Sequence, residues 1–416
     1  MTQLSFDEKL KNYAKILAVH GLNIEPGEFV QINFGPYAEE LATLVGEYAY
    51  ELGARHVHLA YSSPRITYAQ LIHGSDADKF FFPPYVHSRR ENIVDSEGCF
   101  LSLRTNSEPD LFNSIPELSV KHRNAESQML KRFRDEGINQ GKVAWCVACP
   151  ASPKEALKVY PDLSLEEAHK KYWDAIFRMT FADQPDCLER WRNMGALLLE
   201  RRKKLDALKI RFLEYNGPGT DLRVGLAPES VWCGGSSVTA KGKRFQANIP
   251  SFEVFTTPDW RKTNGMVKIT RPTIVSGILV EDLMLEFKDG VITYGSALNG
   301  WKTYEFYINT DEGARRLGEV ALVGLDSPIA KESTLLRQIL YTENAACHIA
   351  TGSGHAKGIR NGQKMSKEEL AKLGRNDSAT HLDVMISDKD VDVVAITREG
   401  RAVPLLEKGH WVRQFA

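Results

Sequence analysis

The spacing of hydrophobic residues changes along the chain, and this change most constrains what the chain can fold into. Over roughly the first 200 residues, short strand-like segments alternate with amphipathic segments of helical periodicity. The strand-like segments are Phe29–Phe34, Val57–Tyr61, Cys99–Leu103 and the almost uninterrupted apolar run Lys142–Cys149. Such a run is typical of a strand buried on both faces. The pattern predicts an α/β domain with a mostly parallel sheet and right-handed crossovers.

Helical segments fill the gaps between these strands and then dominate the middle of the chain. Phe6–His20 and Ala38–Leu52 carry apolar residues at helical spacing, and Ser164–Leu208 is rich in Glu, Lys, Arg and Leu. Ser164 and Glu167 have the spacing of a capping box, which predicts that a helix begins there.

The second half of the chain follows a different pattern. After about Lys209 the strand-like segments shorten and turn-forming residues multiply. Leu283–Phe287 and Val291–Tyr294 flank a Lys-Asp-Gly turn and predict a β-hairpin. Helices are predicted to carry Arg315–Val320 and to lie around Leu335–His348. This mixture is typical of an α+β domain.

The length of 416 residues is compatible with two or three domains. We predict two of them, an α/β domain over residues 1–208 and an α+β domain over residues 209–416. The boundary is placed where the long helical stretch gives way to short strands.

Composition and charge exclude several classes of protein. The chain has 53 Lys and Arg against 54 Asp and Glu, a net charge of −1, so we expect neither nucleic acid nor an anionic membrane as a partner. No apolar run approaches the roughly 20 residues of a membrane span, and the acidic start does not resemble a signal peptide. Six cysteines are too few for a disulfide scaffold, so we expect free thiols and a cytoplasmic location.

Two short motifs in the first half have structural rather than catalytic interpretations. Cys146 and Cys149 form a CxxC motif inside an apolar strand, which favours buried core thiols over a redox or zinc site. His56 and His58 share one face of a predicted strand, and we interpret them as structural.

His381 and Asp383 form the first candidate half-site for a metal. They lie two residues apart in a segment with strand character, so their side chains are predicted to share one face. An imidazole beside a carboxylate on a rigid strand suits a divalent metal ion. A surface hydrogen bond between the two residues is the alternative.

A second cluster contains Glu343, His348 and His355 among small residues. Glu343 and His348 are five positions apart, which is roughly 140° away from a shared helical face. Either the segment is not one regular helix, or the two residues reach a site from different sides. A helix that ends in a glycine-rich cap is an equally good interpretation.

Two further acids lie in apolar segments, Glu253 in a strand-like setting and Glu319 in the run Leu317–Val323. A carboxylate buried without a partner costs several kcal/mol. Each therefore needs either a metal ion or an arginine such as Arg261, Arg315 or Arg316.

Four segments of the second half, in this order and spacing, resemble the thermophilic-type metalloaminopeptidases, the family of aminopeptidases T and S. They are Ala247–Trp260, Thr310–Val323, Glu343–Ala350 and His381–Ile386. The similarity extends along the whole chain. It implies a metal-dependent aminopeptidase that releases N-terminal residues from small peptides and that forms a homodimer.

The resemblance also implies a pair of divalent metal ions, with zinc, cobalt or manganese as the candidates. The ligands that it implies are Glu253, Glu319, Glu343, His348, His381 and Asp383. Among them, Glu319 is implied to bridge the ions, and Glu343 is implied to take a proton from the attacking water.

The sequence departs from the family pattern at three positions. Thr342 and Ser387 stand where the family usually has Asp and Gly, and His355 stands where it usually has Tyr. The family's Tyr suggests that His355 donates a hydrogen bond to the reaction intermediate. Because of this change, two alternatives stay open: a non-peptidase metalloenzyme on the same scaffold, such as a non-haem iron ring-opening dioxygenase, and a catalytically altered homologue.

Overall fold

A computed structural model of the protein describes residues 4–275, 278–332, 334 and 336–416. The chain forms two compact units. One contains the residues up to Asn193 together with Ser236–Pro250, and the other contains Met194–Gly235 together with Ser251–Ala416. The division falls within the helix Cys187–Ala207, earlier than the boundary predicted near residue 208.

A four-stranded parallel sheet forms the centre of the first unit. In spatial order its strands are His56–Tyr61, Phe29–Phe34, Cys99–Leu103 and Ala144–Ala148, and every neighbouring pair is parallel. The predicted α/β class is therefore confirmed. A small hairpin, Ser237–Val238 with Arg244–Phe245, also belongs to this unit.

Helices precede, connect and follow the strands of the first unit. Their bounds are Phe6–Lys15, Glu39–Glu51, Pro64–His73, Pro84–Asp95, Pro116–Met129, Pro153–Val159 and Leu165–Met179. The last of them begins with the predicted capping box, in which the Ser164 side chain accepts a hydrogen bond from the Glu167 backbone N–H. Cys146 and Cys149 are buried in the core, and neither forms a disulfide bond.

The second unit contains an eight-stranded, antiparallel sheet. In spatial order its strands are Val291–Ser296, Met284–Lys288, Pro258–Lys268, Thr220–Leu226, Ile210–Gly217, Asp392–Thr397, Ala402–Glu407 and His410–Trp411. The first two strands form the hairpin that the sequence predicts.

A second antiparallel sheet of four short strands completes the framework of this unit, and we call it the site sheet. In spatial order its strands are His381–Met385, His348–Gly352, Leu317–Leu322 and Val254–Thr256. The hairpin Thr273–Val275 with Ile278–Val280 and the helices Trp301–Ile308, Ile339–Thr342 and Lys367–Lys372 accompany it. The α+β class of the second half is confirmed.

Two helix predictions fail in this region. Arg315–Val320 was expected to be helical, but the chain forms the strand Leu317–Leu322, which is buried at every position. Of the helix expected around Leu335–His348, Leu335 lies outside the described residues. The described part has a short helix at Ile339–Thr342, and a strand begins at His348. None of the helices in the described ranges has the length and hydropathy that crossing a bilayer requires.

Candidate metal centre

The strand register of the site sheet brings the candidate residues to one face. Ala350, on the His348–Gly352 strand, lies opposite Asp383 on one side and Glu319 on the other. His381 lies opposite Gly352, two residues from Asp383. Because side chains alternate between the two faces of a strand, the small residues Ala350 and Gly352 leave space between the acids and the histidines.

His348 lies at the centre of a ring of buried carboxylates. Its Nε2 atom is 3.3 Å from Glu253 Oε2, 3.7 Å from Glu319 Oε1 and 3.9 Å from Asp383 Oδ1. Glu253 precedes the edge strand Val254–Thr256 of the site sheet. Four residues from four separate segments therefore meet within hydrogen-bonding or ion-pair distance.

Two more histidines approach the same carboxylates. His355 Nε2 lies 3.0 Å from Glu319 Oε2, with 46% of the side chain exposed. His381 Nε2 lies 3.5 Å from Asp383 Oδ1 and 3.9 Å from Glu319 Oε2. His381 Nδ1 faces the Ser353 carbonyl oxygen at 2.8 Å, and a proton on Nδ1 leaves the lone pair of Nε2 facing the acids.

The acids and histidines strongly perturb one another's protonation. Burial raises the pKa of Glu319, but hydrogen bonds from His348 and His355 reverse this effect and hold it well below its ordinary value. Burial lowers the pKa of His348, yet its bonds to Glu253 and Glu319 bring it well above the ordinary value. For His381, burial is likewise outweighed, mainly by the charge of Asp383, and the pKa rises to about 10.

Glu343 and His355 respond in the opposite direction. Burial and the carboxylates of Glu253 and Asp383 raise the pKa of Glu343 well above its ordinary value. Desolvation lowers the pKa of His355 more than the nearby Glu319 raises it. Glu343 thus favours its neutral acid form in this environment, and His355 favours the neutral imidazole.

The donor set fits divalent metal ions. Two groups of ligand atoms, each lying within 4.8 Å of one another, share Glu319: Glu253 with Glu319 and His348, and Glu319 with His355 and His381. Buried carboxylates at this density need compensating positive charge, which protonated histidines or metal cations can supply. Oxygen and imidazole nitrogen ligands suit zinc, cobalt or manganese.

The structure thus brings six of the seven candidate residues into direct contact. They are Glu253, Glu319, His348, His355, His381 and Asp383. Glu343 lies beside them: its pKa responds to Glu253 and Asp383, and its Oε1 atom is 3.4 Å from Asn344 Nδ2. Cys347 points away from this ring, because its Sγ atom is hydrogen-bonded to Val323 in the core.

The structure gives a hydrogen-bonding partner to each of the three residues that depart from the family pattern. The Ser387 hydroxyl accepts the backbone N–H of Cys347 at 2.8 Å, next to His348. The Thr342 hydroxyl bonds back to the Ile339 carbonyl within the short helix. His355 lies within hydrogen-bonding distance of Glu319, as described above.

Sequence reasoning missed the groups that hold these side chains in place. The Ser353 carbonyl is the partner of His381 Nδ1, and a backbone carbonyl leaves no signature in sequence. Phe255 packs its ring 5.8 Å from the His355 ring. The apolar character of SFEVFTTP was visible, but this ring contact joins residues about 100 positions apart. The hydrogen bond from the Thr257 hydroxyl to the His355 carbonyl spans 98 positions, and neither contact can be read from the sequence.

Comparisons with known proteins match this chain over almost its whole length. The family described as thermophilic metalloprotease (M29) matches residues 6–411. Aminopeptidase 2 of Geobacillus stearothermophilus is 34% identical over 412 residues, which cover 99% of each chain. Aminopeptidase T of Thermus aquaticus is 34% identical over 98% of this chain and 99% of its own length. Wild-type AmpT from Thermus thermophilus superposes with a TM-score of 0.90 at 31% identity, covering 98% of this chain and 100% of the other.

Proposed function

Since this chain belongs to the thermophilic metalloprotease (M29) family and is a metal-dependent aminopeptidase, we propose that its ring of acids and histidines holds two divalent metal ions. The proposed ligands are Glu253, Glu319, Glu343, His348, His381 and Asp383. The observation that carries the proposal is the position of Glu319. One of its oxygens lies 3.7 Å from Nε2 of the proposed ligand His348, and the other lies 3.9 Å from Nε2 of the proposed ligand His381, so a single carboxylate can serve two neighbouring ions.

Metal ions bound here would polarise the scissile carbonyl and lower the pKa of a bound water. Glu343 is the proposed acceptor of that water's proton. Because burial and the carboxylates of Glu253 and Asp383 raise its pKa, its ionised form is a strong base, and bound metal cations would favour that ionised form. The same group can then return the proton to the departing amine.

His355 is the proposed hydrogen-bond donor to the developing oxyanion. Its partly exposed ring reaches Glu319 through Nε2, so a donor N–H already points toward the centre. The lowered pKa keeps the imidazole neutral, which avoids placing a third positive charge beside two cations.

Small peptides with a free amino terminus are the proposed substrates, because a metal position can bind the α-amine.

We also propose a cytoplasmic homodimer. Tyr61 and Ile66 are 59% and 70% exposed, and they lie on and next to the edge strand His56–Tyr61 of the parallel sheet. Exposed apolar residues beside an unpaired strand edge support association with a second copy. Sedimentation of the purified protein tests this assembly.

The relatives reported above are aminopeptidases, and no described feature favours a ring-opening dioxygenase. Assays of the chelated protein on leucine p-nitroanilide, before and after addition of zinc, cobalt or manganese, test the proposed function. We expect chelation to abolish hydrolysis and at least one of these ions to restore it. Glu343→Gln is expected to lower kcat by about 100-fold or more. Hydrolysis that persists in the chelated protein would refute the proposal.

A further inference from the structure

A short segment contacts two of the site histidines, His355 and His381, and we call it the histidine loop (Gly352–His355). It carries His355 itself and the Ser353 carbonyl that faces His381 Nδ1 at 2.8 Å. A displacement of this loop would therefore move His355 directly. It would also release the partner that fixes the ring orientation of His381.

Arg375 fastens the middle of the histidine loop. Its Nε donates to the Gly354 carbonyl at 2.6 Å, and a terminal nitrogen donates to Ser353 Oγ at 3.3 Å. The other terminal nitrogen pairs with Asp377 at 3.2 Å. Its side chain is 13% exposed, so these bonds are largely shielded from water. The planar guanidinium thus spans the loop and an anchoring carboxylate, which a lysine could not do.

The buried side chain of Asn376 holds the start of the same loop by hydrogen bonds. Its Nδ2 donates to the carbonyls of Gly352 and Gly313 at 2.6 Å and 2.7 Å. Its own backbone carbonyl accepts the Gly354 N–H at 2.9 Å. The amide therefore ties the loop to the turn that precedes the strand carrying Glu319.

The surrounding backbone allows the loop little room to move. A Cβ atom at Gly318 would lie 2.3 Å from the Ser353 carbonyl oxygen, and one at Gly352 would lie 2.2 Å from the Thr380 carbonyl oxygen. Gly352 also has a φ of +104°, which favours glycine. The loop is therefore packed directly against the strand that carries Glu319.

We propose that Arg375 and Asn376 are positioning residues, which act through the histidine loop to hold Nε2 of His355 and His381 toward the metal centre. This inference rests on the proposed metal-dependent function. In the part of the chain that the structure describes, no hydrogen bond or ion pair joins either residue to a carboxylate of the proposed ligands. Partners that orient metal-binding histidines typically change metal affinity or activity by about 10-fold to 100-fold when they are removed.

The test compares Arg375→Met with a matched control, Lys367→Met. Lys367 also pairs with Asp377, at 3.3 Å, but among the described residues it makes no hydrogen bond or ion pair with the histidine loop. Zinc titration of the chelated proteins is the first readout, and kcat on leucine p-nitroanilide is the second. We expect Arg375→Met to weaken zinc affinity or kcat by about 10-fold or more, with Arg375→Lys restoring at most part of the loss and Lys367→Met unchanged.

A double-substitution cycle separates positioning from general stability. If Arg375 acts through His355, adding Arg375→Met to His355→Ala should lower kcat by less than Arg375→Met does alone. The cobalt-substituted protein should show an altered absorption spectrum in Asn376→Ala while its melting temperature stays above the assay temperature. Unchanged zinc affinity, kcat and spectrum in both variants would overturn the inference. Failure of the wild-type protein to bind zinc or hydrolyse the substrate would instead refute the proposed function.

Discussion

His355 is the residue whose chemistry differs most from the family pattern. A phenol and a neutral imidazole can each donate one hydrogen bond to an oxyanion, but the imidazole can also bind metal. We predict that His355→Tyr keeps or gains peptidase activity and leaves the metal content unchanged. The measurement is kcat together with elemental analysis of the same preparation. Loss of one metal equivalent would show that His355 is a ligand.

Cys347 tests whether a thiol contributes to the centre. It neighbours His348, but its sulfur bonds to the backbone of Val323 at 3.4 Å inside the core. We predict that Cys347→Ala leaves the metal content unchanged and lowers the free energy of unfolding by about 1 kcal/mol, as expected for the loss of a small buried side chain. A lower metal content in the folded variant would assign the thiol to the centre.

At the scale of elements, the strand His348–Gly352 forms the floor of the site. Ala350 lies between Glu319 and Asp383 in register, so a larger side chain there would fill the space between the two carboxylates. We predict that Ala350→Leu abolishes metal binding in a chain that still folds. Isothermal titration with zinc is the measurement.

The neighbouring residue on the same strand provides the control. Ile349 pairs with Val320 and Val384 on the opposite, core-facing side. Ile349→Val should therefore cost about 0.5–1.5 kcal/mol of stability and leave zinc binding intact. Equal zinc affinity in Ala350→Leu and the wild type would show that the ions do not lie over this strand.

The elements also show what could be predicted from the sequence. Period-two spacing correctly placed His381 and Asp383 on one strand face, and uninterrupted apolar runs revealed the parallel sheet. Arg315–Val320 was wrongly expected to be helical, because a short apolar segment with one acid fits a buried strand equally well. The segment forms a strand rather than a helix because it pairs with the strands Val254–Thr256 and His348–Gly352. Sequence periodicity carries no information about such distant partners.

The candidate site shows a similar limit. The ligand types and their order along the chain were visible, since acids in apolar segments are unusual. Their convergence depends on strand order, and the Ser353 carbonyl, Arg375 and Asn376 have roles that only the folded loop reveals. The resemblance to a known family supplied the ligand set that spacing alone left open.

At the scale of the whole molecule, His20 links stability to pH. Its ring packs 5.4 Å from that of Trp191, and burial, followed by the charge of Arg192, lowers its pKa from 6.5 to about 4. The unfolded chain therefore takes up a proton below pH 6.5 that the folded chain resists until about pH 4. This difference lowers the free energy of unfolding as the pH falls through that range.

We predict that the wild type loses about 2 kcal/mol more than His20→Phe between about pH 7.5 and pH 5. Phenylalanine keeps a ring beside Trp191 but cannot take up the proton. Urea unfolding of both proteins at the two pH values measures the difference. Parallel losses in the two proteins would show that His20 titrates normally in the folded state.

We propose that one carboxylate, Glu319, joins two metal ions over the site sheet. Anomalous diffraction from crystals of the zinc-loaded or cobalt-loaded protein tests it most directly. We predict two peaks per chain, each with ligand atoms at about 2.0–2.3 Å, and with Glu319 oxygens in contact with both. A single peak, or two peaks of which Glu319 touches at most one, would contradict it.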